Sequence, residues 1–115
     1  MSFWWWAAAV RAATSPLPSG TYRGPARIIR TESEYGKLRA GDVLVCLTTS
    51  PVWSVLFPNV GALVTNAGGA LSHAAIIARE FGIPAVVGTG NATELVRDGQ
   101  ILVVDGAAGT VRTEP

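Results

Sequence analysis

A layered α/β or α+β sandwich is the fold class this sequence predicts, and three observations carry it. Short apolar runs of strand length recur at "ARIIR", "DVLVCL", "GALVT", "AVVG" and "ILVVDGAAGTVRT". Segments with helical spacing or helix-start signals separate them, above all "SHAAIIAREF". The composition, 49% hydrophobic and 15% charged over 115 residues, suits one compact domain whose core needs no staple.

Taken in order, residues 3–13 read as a short Trp-rich helix, ended by the prolines and glycine of "TSPLPSG". Three adjacent tryptophans stand about 100° apart on a helix and cannot all face one core. The segment therefore either folds back on the domain or offers apolar surface to another chain. Residues 1–20 are assigned as this helix and a Pro-rich linker, and 21–115 as the compact domain, starting near Tyr22.

Ala26–Arg30 and Asp42–Leu47 read as strands, the second a buried run. Ser50 followed by Pro51 marks the start of one or two helical turns through Phe57. Gly61–Thr65 is a short strand. The next helix has Ser72 as N-cap, a core stripe of Ala74, Ile77, Ala78 and Phe81, and a stop at Gly82 and Pro84. Asn91 and Glu94 have capping-box spacing and open another short helix, before two final strands joined by a Gly-containing turn.

Composition narrows the function. Nine basic and eight acidic residues give a net charge of +1, with no basic stripe of the kind nucleic acid demands. Cys46 is the single cysteine, so no internal disulfide forms and a cytoplasmic setting is expected. In its apolar run it reads as a small buried hydrophobe. One His and one Cys do not make an ordinary four-ligand zinc site. The N-terminal apolar run is interrupted by Arg11 and falls short of the ~20 residues of a membrane span, so no membrane association is expected.

The one histidine, His73, follows the glycine pair Gly68-Gly69 and falls in the first turn of the helix that Ser72 caps. That end carries unsatisfied N–H groups and about half a positive charge, which favours a dianionic group there by roughly 0.3–2 kcal/mol. A histidine at a Gly-rich helix start is suited to carrying phosphate. A surface histidine or partial cap fits the same position. A Ser72–His73 hydrolase fits worse, because adjacent helical residues do not face each other. "GTG" at Gly88–Gly90 lacks the Lys-Ser/Thr of a phosphate loop.

The run "GGALSHAAIIAREFGIPAVVGTGNATELVRDGQILVVDGAAGTV" resembles the mobile, swivelling phosphohistidine domain of PEP-utilising enzymes. That family includes phosphoenolpyruvate synthase, pyruvate phosphate dikinase and the first enzyme of the sugar phosphotransferase system. The matching positions are Gly68, Gly69, Ser72, His73, Ala78, Arg79, Glu80, Gly82, Ile83, Pro84, Ala85 and Val86. Leu71 departs from the threonine of many members and is closer to relatives of rifampicin phosphotransferase, as is "CLTTSPVWSVLF" at Cys46–Phe57. The likeness spans about Gly20 to Arg112.

The resemblance implies a three-layer β/β/α sandwich that swings between two distant sites, with His73 accepting a phosphoryl group at one and releasing it at the other. Gly68 and Gly69 would give the loop clearance, Ser72 would cap the helix and contact ring or phosphate, and Thr65 and Arg79 are further candidates. It also implies that the chain itself binds no cofactor, and that Mg²⁺ with ATP or PEP belongs to partner domains. Those partners would be an ATP-grasp nucleotide-binding domain and a PEP/pyruvate- or other acceptor-binding domain. The chain then reads as a phosphotransferase component, a free-standing carrier or one subunit of a split enzyme. A non-catalytic interaction module, keeping the fold and binding through its Trp-rich helix, is the alternative.

Overall fold

The computed structural model describes residues 4–6, 8–10, 21–69, 71–106 and 109–114, with the backbone alone for residues 4–6, 8–10 and Val52. Its centre is a parallel sheet of β3 (Thr21–Ile28), β4 (Val43–Cys46), β5 (Ala62–Thr65) and β6 (Ala85–Val87). β4, β5 and β6 are buried at every position, so they read as unbroken apolar runs. This is what a parallel sheet covered on both faces requires.

Alternation along each strand sends neighbouring side chains into two different cores. Leu44, Cys46, Leu63, Ala85 and Val87 face the crossover connections. These are the 3-10 segments Glu32–Lys37 and Pro51–Asn59 and the helix α1 (His73–Phe81). Val43, Val45, Ala62, Val64 and Val86 face the opposite way, against β7 (Ile101–Asp105), β8 (Thr110–Glu114) and the short helix α2 (Ala92–Leu95). The result is a three-layer β/β/α sandwich.

β3 belongs to both β layers. Its first half, Thr21–Pro25, pairs antiparallel with β7, and its second half, Ala26–Ile28, pairs parallel with β4. Pro25, with no N–H to donate, stands at the changeover. Near the start of β3, the Tyr22 ring lies across Gly24, Gly41 and Gly61, and its hydroxyl donates to the Gly41 carbonyl at 2.5 Å. A Cβ on Gly61 would fall well inside contact distance of that ring.

The N-terminus corrects an expectation. In place of a helix over 3–13, Trp4–Trp6 (β1) pairs antiparallel with β8, and Ala8–Val10 (β2) pairs antiparallel with β6. Among the described residues the strand order is β1-β8-β7-β3-β4-β5-β6-β2, so these two pieces stand at opposite ends of it. Only residue 7 separates them, which limits their nearest Cα atoms to about 7 Å. The sheet must therefore curl until its two edges meet, with the N-terminal segment bridging them. Two open edges offer ready partners for its backbone groups, whereas a helix this short bears the cost of nucleation alone. Trp and Val also favour strands. The Pro-rich linker expected over 14–20 lies outside the described residues.

Other departures are local. Asn91 precedes α2 but makes no side-chain cap. Glu34 instead reaches back to accept from the N–H groups of Arg30 and Thr31, as the T-x-x-E spacing of Thr31–Glu34 allows. The 50–59 turn is 3-10 rather than α, with Pro58 inside it. On α1 the buried residues are Ala74, Ala75 and Ala78. Ile77 is only partly buried, and Phe81 is half-exposed, stacked on Phe57 at a centroid distance of 5.9 Å. Small alanines let the helix lie close to the sheet, which turns the stripe slightly from the one expected.

Two measurements follow. Gly61→Ala should destabilise the domain by about 1–3 kcal/mol in denaturant unfolding, because Tyr22 must be displaced from its glycine slot. Deleting residues 1–13 should lower the melting temperature by several degrees, since both sheet edges lose their partners; unchanged melting would show that the pairing contributes nothing.

Candidate functional site

The ends of β4, β5 and β6 open at one edge of the central sheet, where ligands bind in open parallel sheets. His73 stands there because the chain leaves β5, turns through Ala67–Gly69 and enters α1. Ser72 sets the helix start: its backbone is extended and its Oγ accepts from the Ala75 N–H at 3.3 Å. The same hydroxyl donates to the Gly69 carbonyl at 2.8 Å, tying the glycine loop to the cap. At the other end Gly82 closes α1 in the left-handed conformation, φ 67°.

The imidazole is held from another strand. His73 Nδ1 lies 2.9 Å from Thr49 Oγ1, in the loop after β4, and Thr49 is only 7% exposed. With Nδ1 engaged, Nε2 is the ring nitrogen left for chemistry. Thr49 was not among the sequence candidates. The signal was present in the "Thr-Ser-Pro-Val-Trp" stretch that resembled the family, but 24 positions separate the two residues.

The glycine pair divides its work. Gly68 has φ +111°, and a Cβ on it would lie 2.9 Å from Ser72 Oγ. Gly69 is not in the left-handed region, and a Cβ on it would meet nothing within 4 Å. Gly68 thus makes the turn, and the space beside Gly69 is open. Gly88, at φ +75°, packs from the loop after β6, where its own Cβ would come 2.9 Å from the Gly68 carbonyl. No other residue type fits that close approach.

Thr65 lies beneath the loop, and Arg79 sits toward the far end of α1. Thr65 is fully buried; its hydroxyl donates to the Ala67 carbonyl, and its own carbonyl accepts from the Thr89 N–H and hydroxyl. It braces the loop from below. Arg79 lies six residues beyond His73, in the last turn of α1, roughly 9 Å along the axis. Asn66, at the end of β5, exchanges two hydrogen bonds with Thr93 and so pins the start of α2. Cys46 is fully buried, and burial pushes its thiol pKa up to about 12, which makes it a packing residue. Among the described residues no group of three or more His, Cys, Asp or Glu could hold a metal ion, and no helix is long and apolar enough to cross a membrane.

A β/β/α sandwich with one histidine at the open strand ends of its parallel sheet is the arrangement in this chain. The PEP-utilising enzyme mobile-domain family matches residues 38–109, and the chain belongs to that family. It is 55% identical over 93 residues to the uncharacterized phosphotransferase YvkC of Bacillus subtilis, covering 81% of this chain. It is 49% identical over 96 residues to a rifampicin phosphotransferase of Streptomyces sviceus, covering 84%. With a phosphoenolpyruvate synthase of Pseudomonas aeruginosa it shares 52% identity over 86 residues, covering 75%. The match spans 11% of the length of each of these relatives, so in them it is one part of a far longer chain. A solution structure of Enzyme I aligns with TM-score 0.61 and 36% identity, over 70% of this chain and 34% of that one.

The two glycines give opposite expectations. Gly68→Ala should cost about 1–3 kcal/mol through left-handed strain and the Ser72 clash. Gly69→Ala should stay within about 0.5 kcal/mol of the parent. Equal losses in thermal unfolding would refute this division.

Proposed function

We propose that this chain is the phosphoryl-carrying domain of a PEP synthase-like or rifampicin phosphotransferase-like enzyme, with Nε2 of His73 as the acceptor. The observation that carries the reading is the Thr49–His73 contact at the open start of α1. In this reading Thr49 Oγ1 accepts from Nδ1–H, which selects the tautomer with its lone pair on Nε2. That lone pair attacks phosphorus, the N–P bond forms, and the donor's bridging P–O bond breaks with its electron pair on the departing oxygen. Transfer onward reverses these changes on an acceptor oxygen. The N–H groups at the start of α1 favour the dianion by roughly 0.3–2 kcal/mol, and Ser72 holds the Gly69 carbonyl back from it.

Donor and acceptor sites lie on other domains in this reading, an ATP-grasp nucleotide site and a PEP- or other acceptor site with Mg²⁺. The interaction-module alternative relied on a Trp-rich helix. Trp4–Trp6 and Ala8–Val10 pair within the sheet instead of forming that helix.

The test uses the Pseudomonas aeruginosa phosphoenolpyruvate synthase, carrying alanine in place of its own mobile-domain histidine, with PEP and Mg²⁺. The wild-type chain should gain one phosphate in intact-mass measurement and lose it in acid, as an N–P bond does. His73→Ala should gain none while unfolding like the parent, because truncating a partly exposed ring at a helix end opens no large cavity. Thr49→Val should slow labelling about ten- to hundredfold by releasing the ring, and Thr49→Ser should restore it. A wild-type chain that takes up no label overturns the reading.

A further inference from the structure

The face around His73 has no charge of its own. No Asp, Glu, Lys or Arg occurs from Val43 to Ala78 or from Phe81 to Thr93, which includes every loop at the open ends of β4, β5 and β6. Arg30, after β3, is engaged elsewhere: its guanidinium donates to the Thr93 carbonyl at 3.0 Å. A phosphoryl group on His73 would therefore carry its charge with no side-chain cation from these loops beside it. The face is also built of small residues, with Gly68, Gly69, Gly88 and Gly90 exposed. Against that background one side chain stands out. Leu71, two residues before His73, is 86% exposed.

A leucine so exposed gains nothing in the isolated domain, and full burial of such a side chain is among the larger single contributions available to an interface. A neutral, small-residue face next to a dianion is complementary to one kind of surface: a cationic pocket with an apolar wall.

We infer that Leu71 is a docking residue, which seats His73 in the phosphoryl-transfer site of a partner domain by filling an apolar pocket beside a cationic floor. This rests on the carrier reading above. Leu71 touches neither phosphorus nor the reacting nitrogen; it positions His73 by fixing how the face sits on the partner. The cations that neutralise the phosphoryl group come from the partner's side, and the carrier's neutral face lets it leave one such pocket for another.

The experiment compares wild type, Leu71→Ser and Leu71→Met as phosphoryl acceptors from the histidine-free synthase and PEP described above. Phosphoramidate, a small donor that needs no docking, serves in parallel. Leu71→Ser should raise KM for the chain about tenfold with kcat nearly unchanged, and Leu71→Met should return it to within about twofold of wild type. All three should be labelled at equal rates by phosphoramidate. Equal KM values for wild type and Leu71→Ser overturn the docking role and leave the carrier reading standing. A fall in phosphoramidate labelling of Leu71→Ser also overturns it, because Leu71 would then act on the ring within the domain. If the synthase labels no wild-type chain, the carrier reading itself fails, whatever Leu71 does.

Discussion

The central parallel sheet is buried on both faces, and everything else in this domain answers to that constraint. Strands such as Val43–Cys46 and Ala62–Thr65 have no face left for solvent. One side needs the crossover connections and the other needs a second β layer. The faces being sealed, chemistry is left to the strand ends. α1 is a crossover, so it must start at that edge, and its open N–H groups arrive where the loops after β4 and β6 also emerge. His73 occupies that meeting point. Its position follows from the covering of the sheet more than from its own contacts.

The site is assembled from weak, uncharged interactions. A threonine holds the imidazole, a serine joins loop to cap, and two glycines in left-handed conformation let the loops after β5 and β6 touch. Such a site holds the ring without any charged side chain from these loops. A fixed cation beside His73 would stabilise the phosphorylated form, but it would also hold the group against release. The helix terminus offers a smaller, geometrically fixed stabilisation. On the carrier reading proposed above, a domain that must both accept and donate is better served by it.

Much of this was legible in the chain. The helix over 72–81 with its Ser72 cap and Gly82 stop, the buried strand at 42–47, the short strand at 61–65, and His73 at an open helix end all followed from local spacing. These features depend on neighbours within a few residues, and periodicity and capping chemistry report such neighbours directly. The three-layer arrangement came instead from resemblance, because apolar alternation cannot say which sheet covers which face.

The tertiary structure decided what depends on distant partners. Three tryptophans in a row are ambiguous between helix and strand until β8 offers them an edge to pair with, as β6 does for Ala8–Val10. Gly68 and Gly69 are alike in sequence, and only the path into α1 makes one of them turn left-handed while the other faces open space. Thr49 meets His73 across 24 residues because β4 and β5 are neighbours in the sheet. Sequence by itself determined where the histidine sits on its helix, since capping is local. The fold alone determined what holds its ring, because strand pairing brings together residues that no local pattern links.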